Sequence, residues 1–477
     1  MPPIIASFIF TVLIFGLFWV DRDRELRTSR GLWIPTVWVL INASRPASAW
    51  LQTFGFDVGV DTTSTDIYTE GSPIDRAVFT ALVIAGLIIL FVRGRKVGPL
   101  LRQNYPIVLF FGFAALSVFW SDFPFVTFKH WAKGIGDVEM VLIVLTDVDP
   151  LGATKRLLAR VGFLLVPLSV LYCKYYPSIG RLLTRSWLNT YIGVTTQKNM
   201  LGWLCLLLGL GFLWRIRELY HDRENPRRKR RILAHAIVLG MVLWLLQMSA
   251  SMTSFASLLM AGVVMILASQ PMFLRNRAAV HVLVGAMLGI SIFALFFDSS
   301  GSLVENLGRD PTLTGRTLIW DDVLKMPFSR VVGAGYESFW LGDRLEQLRA
   351  MARFDVNEAH NGYLEIFLNL GWIGVGLLTV VFVTGYRKVI ASLRATPDTG
   401  NLNLACFLAA LISSLTEAGF RMMSLTWIFF LLSIVAASRA PALGGLPAEA
   451  DSQTENLEGY PSQPDQGCHP ASSGEAF

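Results

Sequence analysis

Charge is what this sequence has least of. Only 16% of its 477 residues are Asp, Glu, Lys or Arg, against 53% hydrophobic, and the mean hydropathy is +0.50. A soluble globular domain carries about one quarter charged residues. The shortfall excludes an ordinary water-soluble protein and indicates a polytopic membrane protein, all-α by the length of its apolar runs. Cysteine is scarce as well. There are four, with Cys173, Cys205 and Cys406 in or beside apolar runs and Cys468 in the tail. That is too few, in too apolar a setting, for a disulfide framework or a zinc site. No glycine-rich turn sits between a strand and a helix, so a nucleotide has no cradle. No internal repeat and no soluble catalytic domain are evident. The net charge of +6 does not point to nucleic acid, because the basic residues gather in short loops.

What is present is a series of apolar runs. A bilayer core needs about 20 apolar residues per helix. The runs are Pro3–Val20, Leu32–Trp50, Arg76–Val92, Tyr105–Trp120, Ala132–Val148, Leu158–Tyr175, Met200–Trp214, Leu233–Met248, Thr253–Ser269, Val280–Phe297, Leu364–Thr384, Leu402–Leu415 and Leu425–Ser438. They amount to about 12 transmembrane helices, Leu32–Trp50 being the weakest because Asn42, Ser44, Arg45 and Pro46 interrupt it. The first run lacks a basic start and a small-residue cleavage site, so it reads as a membrane helix rather than a signal peptide. The loops 22–30, 93–102, 155–160, 215–231, 275–277 and 387–394 are basic. With Leu32–Trp50 counted as a crossing, all of them fall on one face, expected to be the cytoplasm of a bacterial inner membrane. Residues 1–440 are expected to form the membrane domain. The Pro-, Gly-, Ser- and Glu-rich segment 441–477 is expected to be a disordered cytoplasmic tail.

One interval breaks the pattern. Residues 298–360 are polar over about 60 positions, far more than a connector needs, and should form one large extracytoplasmic loop. Other polar islands emerge on the same face. They are Trp120–Pro124 with Lys129 and His130, then Arg181, Arg185 and Gly193–Asn199, then Ser249–Ser254, and finally Thr416–Arg421. The loop itself adds Leu313–Thr317 with Trp320, Gly333–Trp340 and His360–Leu364.

Islands that share a face can converge in one cavity. Arg and Lys there suit phosphate or pyrophosphate. His360 is the natural proton acceptor near neutral pH, and Asn361 with Gly362 can turn the chain so that the imidazole sits at the rim. Trp120, Trp320, Tyr336 and Trp340 offer flat faces to a sugar ring. The rival readings are plainer. Aromatic residues at span ends form interfacial belts, Lys198 and Arg181 can contact lipid headgroups, Ser251 and Thr253 can let helices approach, and Glu417 can pair with Arg421 four positions on.

Thr314-Gly315-Arg316, followed by His360-Asn361-Gly362-Tyr363-Leu364 and then Gly371 and Gly374, resembles the signature loop of the O-antigen ligase and polymerase superfamily. Trp120-Ser121-Asp122-Phe123-Pro124 and Gln197-Lys198-Asn199-Met200-Leu201-Gly202 fit the same pattern. The resemblance is concentrated between about residue 193 and residue 374. Ser44-Arg45-Pro46 and Gly335–Trp340 make the chain most similar to exopolysaccharide polymerases of the succinoglycan type.

That resemblance implies a fold like the polyprenol-dependent membrane glycosyltransferases and a metal-independent glycosyl transfer without cofactor. The implied donor is an oligosaccharide on undecaprenyl pyrophosphate, and the acceptor a hydroxyl of another repeat unit. Arg316 and His360 correspond to the family's catalytic pair, and Lys198 to an upstream basic position where other members carry Arg. Arg181, Asn361, Tyr336, Trp320 and Glu417 complete the expected substrate-binding set. Membrane lipids and polysaccharide export and chain-length proteins are the expected partners. A ligase that moves finished glycan to lipid A core is the alternative within the class, and a small-solute transporter the alternative outside it. The transporter lacks its usual marks, since few ionisable residues lie mid-span and no inverted repeat is evident.

Overall fold

Proline and glycine punctuate the apolar runs and decide where each helix begins. In the computed structural model, described for residues 1–23, 26–56, 72–183, 189–296, 313–351 and 356–439, the helices follow in chain order. They are α1 (Pro3–Val20), α2 (Trp33–Asn42), α3 (Ala47–Thr53), α4 (Pro73–Val92), α5 (Gly94–Gln103), α6 (Tyr105–Leu116), α7 (Pro124–Leu145), α8 (Pro150–Tyr175) and the single turn α9 (Pro177–Gly180). Then come α10 (Lys198–His221), α11 (Arg228–Ser249), α12 (Met252–Leu267), α13 (Pro271–Arg275), α14 (Arg277–Phe296), α15 (Leu313–Lys325), α16 (Gly342–Met351), α17 (Gly362–Ala395), α18 (Pro397–Ser413) and α19 (Leu425–Ala437). One small antiparallel hairpin, β1 (Arg181–Leu183) with β2 (Asn189–Tyr191), lies between α9 and α10. Eight of the described helices start at a proline in the first turn that also stands at a break between apolar runs, where its missing N–H has no intrahelical partner to lose. The tail 441–477, the loop segment 298–312, Arg185 and Cys468 lie outside the described residues.

The protein is an all-α polytopic membrane protein. Among the described residues, six helices (α1, α4, α8, α10, α11 and α17) are long and apolar enough to cross a bilayer. Four further apolar helices are shorter, at 10–17 residues. The stretch expected as a single Leu32–Trp50 span is instead two short helices, α2 and α3, parted at Ala43–Pro46 because Pro46 cannot continue α2. It nonetheless runs from one end of the bundle to the other. Ser29, just before α2, bonds Asp147 at 2.9 Å, whereas Arg45 bonds the carbonyls of Ile179 at 2.5 Å and Thr195 at 3.2 Å, past the far end of α8.

Helices α10, α18 and α19 form the centre and are buried on nearly every face, with Trp427, Phe430, Phe420 and Phe407 stacked among them. Helices α1 and α4 stay peripheral and show Phe8, Phe15, Ile88 and Phe91 outward, as lipid requires. The basic residues Arg93, Lys155, Arg215 and Arg231 share one end of the bundle. The described part of the large loop caps the other. That cap has its own small apolar core of Ile319, Val323, Phe339, Trp340, Leu345 and Leu348.

The middle of the loop has a structural task. Helix α17 breaks at Gly371, whose φ is +62° and ψ −163°. Residues 330–335 run along that break and bond its freed backbone. Trp372 N meets Arg330 O at 2.9 Å, Ile373 N meets Val331 O at 3.1 Å, Ala334 N meets Leu368 O at 3.0 Å and Gly335 N meets Asn369 O at 2.9 Å. Irregular backbone at membrane depth needs such partners.

Candidate active site

Three chain segments that are far apart in sequence meet at the capped end. Helix α15 brings Arg316. The turn before α17 brings Glu358 and His360. The turn between α18 and α19 brings Glu417 and Arg421. Local chemistry fixes each. Asn361 caps α17, its Oδ1 accepting from Tyr363 N at 3.0 Å and Leu364 N at 3.1 Å. His360 precedes the cap in a left-handed conformation, φ +49°, an uncommon one for a residue with a Cβ. Gly362 N bonds Ser414 O at 2.8 Å, which docks the α18–α19 turn against the start of α17.

Glu417 is the hub. Its Oε1 accepts from Arg316 at 2.9 Å and its Oε2 from Asn199, the second residue of α10, at 3.0 Å. Glu417 is 2% exposed, so both bonds are shielded from water. The Nδ1 of His360 stands 2.9 Å from Glu358 and 3.6 Å from Glu417, near enough for ion pairs though aligned as a hydrogen bond to neither. Arg421 lies against Glu337 at 2.9 Å and Glu358 at 3.6 Å. Glu417 and Arg421 therefore do not form the four-apart helical pair that their spacing allowed. They sit on a turn and face different partners.

Burial by itself disfavours the His360 imidazolium, but the two carboxylates outweigh it and push the imidazole up to about 9. Burial likewise pushes Glu358 up, and here His360, Arg421 and Arg316 outweigh it and hold the carboxyl below its usual range. Arg421 is kept charged against its burial by Glu337, Glu365 and Glu358.

The other expected residues divide. Lys198 opens α10 beside Asn199, exposed, at a helix N-terminus that favours anions. Trp320 donates from Nε1 to Ala359 O at 2.8 Å, and its ring lines an open groove of about 650 Å³ with Asn361, Tyr363, Phe367 and Trp372. Asn361 spends its side-chain oxygen on the cap. Tyr336 lies 2% exposed in the core, packed on Phe111 with its hydroxyl against Gly134, so it presents no face to a sugar. Arg181 bonds Cys173 O at 2.9 Å and stacks on Tyr191, with no bond to the charged group.

Glu358, Glu337, Asn199 and Arg421 acquire roles that spacing did not disclose. Glu365 is a further one, an acid inside an apolar run, which is itself a signal. It accepts from Trp340 Nε1 at 2.9 Å and from Ala359 N at 2.5 Å, and so holds the residue next to His360.

Glu358, His360 and Glu417 have ligand atoms within 4.8 Å of one another, the spacing of a metal site. The same carboxylates already face Arg316 and Arg421, which supply the positive charge that a cation would bring.

A polytopic helical membrane protein with an Arg–Glu–His cluster under a folded cap is the class that fold and site define. The O-antigen ligase family matches residues 236–379, a stretch that contains Arg316 and His360 and leaves Lys198 and Glu417 outside. The chain is similar to an exopolysaccharide production protein, ExoQ, of Rhizobium meliloti (strain 1021), 24% identical over 285 residues. That similarity covers 57% of this chain and 62% of the relative, so the chain spans less than two thirds of the relative's length. The likeness to the O-antigen ligase superfamily, and within it to an exopolysaccharide protein, thus holds beyond the short motifs.

Proposed function

We propose that the protein polymerises undecaprenyl-pyrophosphate-linked oligosaccharide repeat units into exopolysaccharide at the outer face of a bacterial inner membrane. The observation that carries this reading is the meeting of Arg316 and His360 at Glu417, from opposite ends of one loop. In the reaction, a hydroxyl oxygen of the acceptor sugar attacks the anomeric carbon of the donor. The bond from that carbon to the pyrophosphate oxygen breaks, and undecaprenyl pyrophosphate departs with the electron pair. Arg316 stabilises the charge that builds on the leaving group, with Lys198 and the N-terminus of α10 beside it. His360, in its neutral form, accepts the proton of the attacking hydroxyl. Pyrophosphate leaves readily, so neither a metal nor a general acid is required. The groove beside Trp320 receives sugar rings by stacking.

The test replaces Arg316 and His360 singly with Ala in the host cell, at equal protein level, and measures polymer length. Loss of long chains with single repeats left on lipid is the expected result. Unchanged long-chain polymer from both variants overturns the reading. Full-length polymer stranded on lipid after gene deletion would mark a ligase instead.

A further inference from the structure

The basic end of the bundle holds a second cavity, of about 460 Å³, walled by α1, α2 and α8. It lies far from the cluster at Glu417. Arg215 on its wall and Asn199 in the cluster are both on α10, about 24 Å apart at 1.5 Å per residue. The chemistry differs as well. Among the described residues, the acids around this cavity are already engaged. Asp21 faces Arg231 at 3.1 Å and His235 at 3.0 Å, Asp23 faces Arg231 at 3.1 Å, and Glu218 is taken by Lys155 and Arg215.

Two arginines on the wall are left over. Arg156 donates to backbone carbonyls, Leu26 O at 2.9 Å and Asp23 O at 3.4 Å, and to the Thr28 hydroxyl. Arg160 makes one long bond to Thr36 Oγ1 at 3.4 Å and lies 3.9 Å over the ring of Trp33. Neither meets a carboxylate among the described residues. They are one turn apart on α8, where like charges repel. Arg22 adds a third positive group at the mouth, also without a carboxylate among the described residues. The remaining wall is apolar, with Phe18, Leu40 and Leu164, and it continues into the lipid-facing surface of α1.

We propose that this cavity binds the phosphodiester headgroup of an anionic phospholipid. The phosphate lies between Arg156 and Arg160, and the acyl chains follow the apolar wall. Basic pockets between membrane helices have the chemistry for this, and each arginine near the surface adds about fivefold to binding. Such a lipid ties the peripheral α1 to the bundle through α8.

The test uses the purified full-length protein. Native mass spectrometry follows retention of phosphatidylglycerol, with phosphatidylcholine and inorganic phosphate as competitors, and thermal unfolding is recorded with each added. The expected result is that phosphatidylglycerol alone is retained and raises the unfolding temperature. Arg156→Gln and Arg160→Gln should each weaken retention about fivefold, while Arg95→Gln, an exposed arginine on α5, leaves it unchanged. Equal retention of phosphatidylcholine, or displacement by inorganic phosphate at similar concentration, overturns the lipid assignment. So does full retention in the doubly substituted protein. The competition on the wild-type protein decides the matter even where a variant does not fold.

Discussion

Arg316 and Glu417 are 101 positions apart and bond at 2.9 Å, one from the loop helix α15 and one from the turn after α18. Glu417 holds the guanidinium in place, and in the proposed reaction the diphosphate of the donor would share or take over that guanidinium. Removing a preorganised donor from a developing negative charge costs about 10²–10³ in turnover. Arg316→Ala should therefore lose about that factor in consumption of lipid-linked repeat units in vesicles. Glu417→Ala should lose less, because it frees the arginine rather than deleting it. The doubly substituted protein should be no slower than Arg316→Ala alone, a coupling of about 1–3 kcal/mol. Strictly additive losses would show that the bond has no part in the reaction.

His360 gives a pH dependence with a definite sign. Its imidazole is pushed up to about 9 by Glu358 and Glu417 against the opposing effect of burial. The neutral form that can accept a proton is then a minor species at pH 7. The ratio kcat/KM should rise with pH and level off above about 9. A profile flat between pH 6 and pH 8 would remove His360 as the acceptor. Stability moves the opposite way. A folded-state value above the ordinary 6.5 means that the ion pairs stabilise the protein fully below about 6.5. That contribution is lost as pH rises through about 9. His360→Gln should unfold at a temperature less dependent on pH over that window.

The helical membrane fold was legible because apolar run length needs no knowledge of contacts. That polar islands distant in sequence could meet was legible from the placement of Arg and Lys in short loops, and Arg316, Asn199, Glu337 and Arg421 do converge around Glu417 and Glu358. Arg316 and His360 stood out as charged groups beside motifs. Their meeting at Glu417 was not legible, since spacing in sequence does not report which turns dock. Glu417 and Arg421 show this well. Four apart, they read as one helical pair, but α18 ends at Ser413 and they lie on a turn with separate partners. Tyr336 misled for a related reason. An aromatic residue in a polar loop looks exposed, yet this loop has a core and the break in α17 draws Gly333–Trp340 inward.

Arg421 is the counter-charge for Glu337, whose side chain is 4% exposed, and it lies 3.6 Å from Glu358. Removing one partner of a buried pair leaves an uncompensated charge and costs about 3–5 kcal/mol. Arg421→Ala should lower thermal stability by about that amount, and the double substitution Arg421→Met with Glu337→Gln should recover much of it. Recovery in the double variant separates a structural ion pair from a residue that touches substrate, because activity would stay low in the second case.

Chelation tests the carboxylates in another way. Glu358, His360 and Glu417 are spaced for a metal, but Arg316 and Arg421 already face the two acids. Turnover in vesicles should survive prolonged treatment with EDTA, and added Mg²⁺ or Mn²⁺ should change it no more than an equal ionic strength of monovalent salt does, since both act only by screening charge. A loss on chelation that a single divalent metal restores would replace the arginine-based account with a metal site at these three residues.

Gly371 carries the break in α17, and its demand is steric as well as conformational. The angles φ +62° and ψ −163° belong to a region that is essentially glycine's alone. A Cβ there would stand 2.3 Å from Val331 O and 2.4 Å from Val331 C, both backbone atoms that cannot swing aside. Gly376, five residues on in the same helix, has nothing within 4 Å of an added Cβ. Gly371→Ala should destabilise the protein by about 2 kcal/mol or more, whereas Gly376→Ala should be neutral or stabilise it by up to about 1 kcal/mol. The damage at Gly371 should reach the site. Shifting Val331 disturbs the strip that bonds Leu368 and Asn369, and Asn369 accepts from Ser338 N and Phe339 N at 3.1 Å each. The next residue, Trp340, shares Glu365 with Ala359, the residue before His360. Thermal unfolding together with turnover of the two variants checks the chain of contacts. Equal behaviour of the two alanines would mean that the break in α17 is not held by Val331.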